Sequence, residues 1–333
     1  MCLVTGATGF IGGHLAQRLV WEGYRVRCLV RESSDTALLG PLGVELAQGD
    51  LTDVSSLTRA AQGCRFVLHC GALVSDWATV EEIKRVNVTG TRNVLEATVD
   101  ASAERFVHLS TTDVYGYPGR PGIEENHPPA GFSNWYSETK RAAEAEVRRV
   151  EHARGLQVVI LRPATVYGPR SEDVVGEMAQ AIRRRRMFLV DGGRAVAGLL
   201  YVENLVDAAV LALRNDAALG EVFNLTDGLD ITWKRFLGDL AEALGYPKPT
   251  WSLPYEVALG IAFALEHGYR LLRRMTRVYT RPLLSRQAIH VLGRNQDFSN
   301  RKAREMLGWA PRVSYRDGLA ATIKWLGEEY LTS

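Results

Sequence analysis

The chain has 333 residues, 46% of them apolar and 23% charged, with a formal net charge of +2. That length exceeds the ~100–200 residues of an ordinary domain and can bury a sizeable core, so two lobes are expected. The balanced charge excludes nucleic acid as a general partner, and no uncharged apolar run reaches the ~18 residues of a membrane span. The four cysteines, Cys2, Cys28, Cys64 and Cys70, form no CxxC pair. They read as reduced thiols of a cytosolic protein. The chain opens directly on strand-like Leu3-Val4-Thr5, so no signal peptide is expected, and no metal site is expected either.

Through the first half, apolar strand-like runs alternate with helical patterns, which predicts an α/β fold. Strands are expected at Cys2–Thr5, Tyr24–Val30, Val44–Gln48, Phe66–Cys70, Arg105–Ser110 and Gln157–Leu161. Helices are expected at Ile11–Glu22, Val54–Gln62, Glu81–Val99 and Tyr136–Glu151. This is the layout of a Rossmann-type, doubly wound parallel sheet.

At the first strand-to-helix turn stands Thr5-Gly6-Ala7-Thr8-Gly9-Phe10-Ile11-Gly12. Glycines there permit a tight turn and close approach of a pyrophosphate to the helix N-terminus. Arg31, followed by Glu32, Ser33 and Ser34, ends the second strand. An arginine there can pair with a 2′-phosphate, so NADP(H) is favoured over NAD(H) as cofactor, with Glu32 keeping NAD(H) open. Asp50-Leu51 follows the third strand, where the carboxylate can accept from an adenine amino group. His69-Cys70-Gly71-Ala72 ends the fourth with small residues that let a cofactor ribose pass. Gly90, inside a predicted helix, costs about 1 kcal/mol against alanine and signals close packing against the sheet.

His108-Leu109-Ser110-Thr111-Thr112-Asp113-Val114-Tyr115 closes the fifth strand, with hydroxyls at the carboxyl edge where α/β ligand sites form. An ST-turn is the alternative reading of Thr111. Tyr136 and Lys140, spaced i,i+4, share one helix face. The ammonium favours phenolate, so the phenol pKa is expected below its usual ~10, making Tyr136 an acid/base.

Together these residues resemble the extended short-chain dehydrogenase/reductase family, of NAD-dependent epimerase/dehydratase type. The resemblance rests on Gly6/Gly9/Gly12, Asp50-Leu51, Asn87–Asn93, Ser110-Thr111, Tyr136-xxx-Lys140 and Leu161-Arg162-Pro163, in the family's order. It implies Tyr136 as acid/base, Lys140 on the nicotinamide ribose and Thr111 holding the substrate oxygen. Pro163 and Val166 would lie near the nicotinamide. Nucleotide-sugar dehydratases of the family carry Thr-Asp-Glu before Val-Tyr-Gly. Here the triplet is Thr111-Thr112-Asp113, so the central acid is missing and dehydration is not expected. The second half is most similar to the 3β-hydroxysteroid and sterol-4α-carboxylate 3-dehydrogenase branch. That similarity lies in Tyr201–Asp207, Asn224–Gly228, Ile231-Thr232-Trp233, Asp297-Phe298-Ser299 and Leu307-Gly308-Trp309.

Residues 1–169, with about 197–226 returning, are assigned to the cofactor domain. Residues 170–196 and 227–333 are assigned to a smaller, mainly helical substrate lobe, with an edge strand expected at Glu221–Asn224. Leu253–Leu272 is apolar and trailed by Arg270, Arg273, Arg274, Arg277 and Arg281. Residues 253–281 therefore read either as a peripheral membrane-surface element or as a packed helix with solvated arginines. Arg183–Arg186 reads as a solvated helix end. Ser75, Trp77, Asp113 and Trp135 join Thr111 as candidate substrate contacts; the tryptophans equally suit a core.

The leading expectation is an NADP(H)-dependent oxidoreductase interconverting a secondary alcohol and a ketone on a lipophilic, sterol- or isoprenoid-like substrate. The alternatives are a nucleotide-sugar epimerase and a non-catalytic NADP(H) sensor. The resemblance further implies a homodimer through Glu81–Val99 and Tyr136–Glu151. A cytoplasmic protein is expected, associated with membrane only at the surface if at all.

Overall fold

A computed structural model describes residues 1–74, 78–128, 134–275 and 284–331, without the side chains of 270–275. In the first half, β1 (Cys2–Thr5), α1 (Phe10–Trp21), β2 (Val26–Val30), β3 (Glu45–Gln48), α2 (Val54–Ala61) and β4 (Phe66–His69) follow in order. Then come α3 (Val80–Lys84), α4 (Gly90–Asp100), β5 (Arg105–Leu109), α5 (Trp135–Arg154) and β6 (Val158–Pro163). Later elements are β7 (Thr165–Tyr167), α6 (Glu177–Arg183), β8 (Leu189–Val190), β9 (Leu199–Tyr201), α7 (Val202–Arg214) and β10 (Val222–Leu225). The chain finishes with α8 (Trp233–Ala243), β11 (Ser252–Leu253), α9 (Tyr255–Met275), α10 (Arg286–Gly293), α11 (Arg301–Leu307) and α12 (Tyr315–Trp325).

Seven strands form one parallel sheet in the order β10-β6-β5-β4-β1-β2-β3. Alternation along each strand divides its apolar side chains between two layers. On one face Val4, Cys28, Leu68 and Val107 pack with Leu15 and Leu19 of α1 and Leu205 and Ala209 of α7. On the other, Leu3, Val67, Phe106 and Ile160 meet Leu57 of α2, Leu95 of α4 and Val147 of α5. The Rossmann-type doubly wound sheet expected from the sequence is therefore present, with the edge strand expected near 221–224 as β10.

The predicted sixth strand, Gln157–Leu161, forms the body of β6. β6 stops at Pro163, and Thr165–Tyr167 leaves the sheet to pair with β9. Leu200 of β9 faces the first lobe's core, whereas Leu199 and Tyr201 face the second. That second core gathers Tyr167, Val175, Trp233, Phe236, Tyr255, Ile289 and Trp325.

The predicted helix 81–99 is interrupted by a π-helical turn at Arg85–Thr89. The extra residue turns the Asn87 side chain onto Leu73: its amide donates to the Leu73 carbonyl (3.1 Å) and accepts from the Leu73 N–H (2.7 Å). Gly90 packs tightly, though not against the sheet. A Cβ there would stand 2.9 Å from Cβ of Leu51, in the β3–α2 loop, whose carbonyl accepts from Asn93 (2.9 Å).

The C-terminal motifs converge on one buried knot. Asn204 donates to Asp227 (2.9 Å) and accepts from the N–H groups of Arg312 and Val313 (2.9 Å each), while Trp309 donates to the Asn204 carbonyl (2.9 Å). These groups tie the start of α7 to Asp227, just after the end of β10, and to residues 309–313. Among the described residues, no helix is long and apolar enough to cross a membrane.

Candidate active site

The glycine turn is built as its spacing predicts. Gly6 has φ +69°, and a Cβ there would lie 2.8 Å from the Gly71 backbone. A Cβ on Gly12 would stand only 2.1 Å from the Gly6 carbonyl oxygen, so neither position admits a side chain. The α1 N-terminus at Gly9 has no side-chain cap and no acidic residue in its first turn. Its free N–H groups and positive dipole end are thus open to an anion, with Thr8 and Gly9 exposed beside them. Arg170, which the sequence reading did not single out, lies against this turn: its guanidinium is 3.3 Å from where a Gly13 Cβ would be.

Asp50 spends Oδ1 on the Thr52 N–H (2.8 Å) and hydroxyl (2.6 Å). Those bonds hold its pKa below the usual carboxylate value despite partial burial, with smaller help from Arg31 and Arg85. Arg31 is exposed, and its N–H donates to Ser34 Oγ (3.1 Å). The turn, the uncapped helix and this acid–base end together fit a dinucleotide.

A directional hydrogen-bond chain fixes the loop after β4. The Thr91 hydroxyl donates to the Asn87 carbonyl (2.7 Å), so it accepts from His69 Nε2–H (2.9 Å). His69 Nδ1 then accepts from the Thr5 hydroxyl (2.7 Å), which itself accepts from the Gly71 N–H (3.2 Å). Cys70 beside it is an inert thiol, its pKa pushed up to about 12 by burial.

Neighbouring His108 is fully buried, and both ring nitrogens lack partners among the described residues. Burial pulls His69 down to about 3 and His108 well below its ordinary value, with the Lys140 charge acting in the same direction. Both therefore stay neutral in the fold while the unfolded chain protonates near ~6.5. The depressed folded pKa makes their contribution full above that value and lost as pH falls below it. Between pH 7 and 5 the two histidines should cost up to about 4 kcal/mol, read from denaturant midpoints. His108→Phe, beside stacked Phe106, should roughly halve that slope without lowering stability at pH 7.

The acid/base group comes from α5, which Asn134 caps by accepting from the Ser137 N–H (2.7 Å). The Lys140 ammonium is buried and donates to the Leu109 carbonyl (2.6 Å) at the end of β5. Burial lowers its pKa to about 8, opposed by Glu144. Thr111 Oγ1 accepts from the Asp113 N–H (3.2 Å), the ST-turn considered from sequence, leaving its proton to donate elsewhere.

One expectation is overturned. The pKa of Tyr136 is raised, not lowered: burial is the larger cause and the Asp113 carboxylate adds to it. Spacing alone brought Lys140 near, but its charge is spent on a backbone carbonyl and balanced by Glu144. At neutral pH the phenol is a protonated acid.

Two partners of this site escaped the sequence reading. Glu144 takes a bidentate Arg162 (Nε 2.9 Å, Nη2 2.6 Å) and the Ser110 hydroxyl (2.5 Å), all buried. Arg162 also donates to Tyr115 Oη (2.7 Å), which donates to Asn224 (2.7 Å). From α10, Gln287 donates to Asp113 Oδ2 (3.1 Å). Pro163 is buried at the end of β6, and Val166 is half-buried in β7 between the two cores. Phe10 and Ile11 are half-buried at the start of α1, and Ala72 follows Gly71 in the loop after β4. Trp135 is exposed, with Lys84 Nζ 5.7 Å from its ring centre. Ser75, Trp77, Arg277 and Arg281 lie outside the described residues, as do the side chains of Arg270, Arg273 and Arg274. Among the described residues there is no cluster suited to a metal ion.

Known proteins are similar to this chain. A ketoreductase of 4-hydroxy-2-methyl-3-oxo-4-farnesyl-3,4-dihydroquinoline-1-oxide from Stigmatella aurantiaca is 35% identical over 96% of this chain and 94% of its own. The 3β-hydroxysteroid-dehydrogenase/decarboxylase isoform 1 of Arabidopsis thaliana is 29% identical over 97% of this chain and 78% of its own. A solved dTDP-glucose 4,6-dehydratase, a DesIV double mutant of Streptomyces venezuelae with NAD bound, aligns with TM-score 0.80 over 99% of this chain and 97% of that one. At 24% identity it shows the fold alone. The family model of the NAD dependent epimerase/dehydratase family matches residues 2–226, which hold the whole seven-stranded sheet, and the chain belongs to that family.

Proposed function

We propose that the protein is an NADP(H)-dependent oxidoreductase that reduces a ketone to a secondary alcohol on a lipophilic, sterol- or isoprenoid-like molecule. The observation that carries the reading is the protonated Tyr136 one helical turn from Lys140, whose ammonium is fixed on the strand end that leads into Thr111. The glycine turn and the α1 N-terminus would hold NADPH, which when bound would supply a hydride for the carbonyl carbon. Tyr136 Oη gives its proton to the carbonyl oxygen, and the Thr111 hydroxyl donates a hydrogen bond to that oxygen. Lys140 remains charged below about pH 8 and stabilises the resulting phenolate. The farnesyl-bearing substrate named for the Stigmatella aurantiaca relative supports a lipophilic ketone.

Exposed Arg31 favours a 2′-phosphate. Arg31→Ala should lower kcat/KM for NADPH about 10–100-fold, the worth of a charge-assisted hydrogen bond. NADH values should hold within about twofold, since NADH has no 2′-phosphate for Arg31 to pair with. Equal losses for both cofactors, or a wild type preferring NADH, would remove the NADP assignment. In steady-state assays on lipophilic ketones, kcat/KM should fall above about pH 8 as Lys140 loses its proton. Absence of reduction on any lipophilic ketone, with either cofactor, would sink the function. We also propose a homodimer through α4 and α5, whose outer faces carry the Arg92–Glu146 and Arg149–Glu96 pairs; a single-chain mass in light scattering would refute it.

A further inference from the structure

The structure has an apolar surface and a basic surface at one corner of the second lobe. α9 is apolar on both sides. Its buried face carries Tyr255, Ala258 and Ala262. On the opposite side, at i,i+4 spacing, Val257, Ile261 and Leu265 are 49%, 42% and 44% exposed. Just before the helix, Trp251 is 61% exposed, its ring edge-on to Phe188 at 5.5 Å.

β11 pairs in parallel with β8, which brings the end of α6 to the same corner. That end is Arg183–Arg186, all four exposed. Arg183 donates to the Leu331 carbonyl (3.0 Å), whereas Arg184, Arg185 and Arg186 have no acidic partner among the described residues. A favourable helix dipole accounts for one cation there, not for three more.

We propose that this corner, with Arg184–Arg186 beside Trp251 and the outer stripe of α9, docks the protein onto an anionic lipid bilayer. Unpaired arginines suit lipid phosphates, an exposed tryptophan suits the interface, and the apolar stripe suits the acyl boundary. α9 would lie on the bilayer rather than span it.

The face also leads to the chemistry. On its inner side, buried Glu266 of α9 accepts from the Arg286 N–H (2.8 Å) and Nε (2.7 Å). The next residue of α10, Gln287, is the one that reaches Asp113. The docking helix is thus one helix away from the acid/base site, and a lipophilic ketone dissolved in the bilayer would arrive at that wall. This last step rests on the proposed function; the docking itself does not.

The test is co-sedimentation of the full chain with vesicles of phosphatidylcholine alone and of equal parts phosphatidylcholine and phosphatidylglycerol. Binding to the anionic vesicles, released by salt near ~1 M, is expected. Arg184→Ala/Arg185→Ala/Arg186→Ala should weaken it about 100-fold, at about 1 kcal/mol per arginine. Ile261→Glu/Leu265→Glu should weaken it at least ~10-fold with unchanged melting temperature. No binding, equal binding to neutral vesicles, or insensitivity to both variants would overturn the proposal. So would a dimer in light scattering that Ile261→Glu splits, because a second copy would then cover the stripe. Turnover is not read in any arm, so failure here leaves the oxidoreductase assignment standing.

Discussion

Tyr136→Phe should lower kcat for ketone reduction about 10²–10⁴-fold, the range for loss of a positioned general acid. Dinucleotide affinity should stay within about twofold, because the glycine turn and α1 N-terminus are untouched. The substitution removes only the hydroxyl; the ring keeps its place on the first turn of α5. Asp113→Asn offers the complementary reading: removing the charge that helps raise the Tyr136 pKa should leave the alkaline limb near pH 8, which Lys140 sets, and should cost far less kcat than Tyr136→Phe. Dinucleotide titration and steady-state rates check both. Retained turnover in Tyr136→Phe would end the assignment of acid to that residue.

The second large effect is on stability. Arg162→Met removes the guanidinium that neutralises buried Glu144 and leaves a desolvated carboxylate with the Ser110 hydroxyl. Breaking one side of such a pair costs about 3–5 kcal/mol. At about 2 °C per kcal/mol for a chain of this size, melting should fall by roughly 6–10 °C. Glu144→Leu/Arg162→Met, which removes both charges, should recover a large part of that loss, since apolar replacement of a whole buried pair is often neutral. A single variant melting within ~2 °C of wild type would show the pair to be dispensable. Glu144→Gln has a separate signature. Its charge favours the Lys140 ammonium, so the alkaline limb should move below about pH 8.

Much of this was legible in the chain. The runs Cys2–Thr5 and Arg105–Ser110 are apolar and bounded by turn residues, so their strands fall within a residue of expectation. The Gly6–Gly12 turn was legible because each glycine answers a steric demand that backbone geometry imposes locally. The direction of the Tyr136 pKa was not, because it depends on desolvation and on Asp113, and spacing reports neither. Gln287 gives no local signal, lying 174 residues from Asp113. The Arg162–Glu144 pair had a signal that went unused. A charged residue at the end of the apolar run Val158–Leu161 must find a buried partner, and Glu144 repeats the i,i+4 step from Lys140. Of the branch motifs, the groups around Tyr201, Asp227 and Trp309 bind one another, whereas Asn224 bonds Tyr115 and the Ile123 carbonyl.

The Asn204 knot has a consequence for the order in which the molecule can be made. Its bonds from Trp309, Arg312 and Val313 close loops of 105 to 109 residues. Until those residues leave the ribosome, the start of α7 lacks its clamp, and the Asn204 carbonyl and side-chain oxygen lack the donors they have in the fold. At about 5–20 residues per second, that interval lasts roughly 5–20 s. During it the nascent first half can build its sheet up to β6 but cannot lock α7. Such distant closures make folding slow. Truncation before Trp309 should therefore leave a chain that stays engaged by chaperones rather than a smaller working domain.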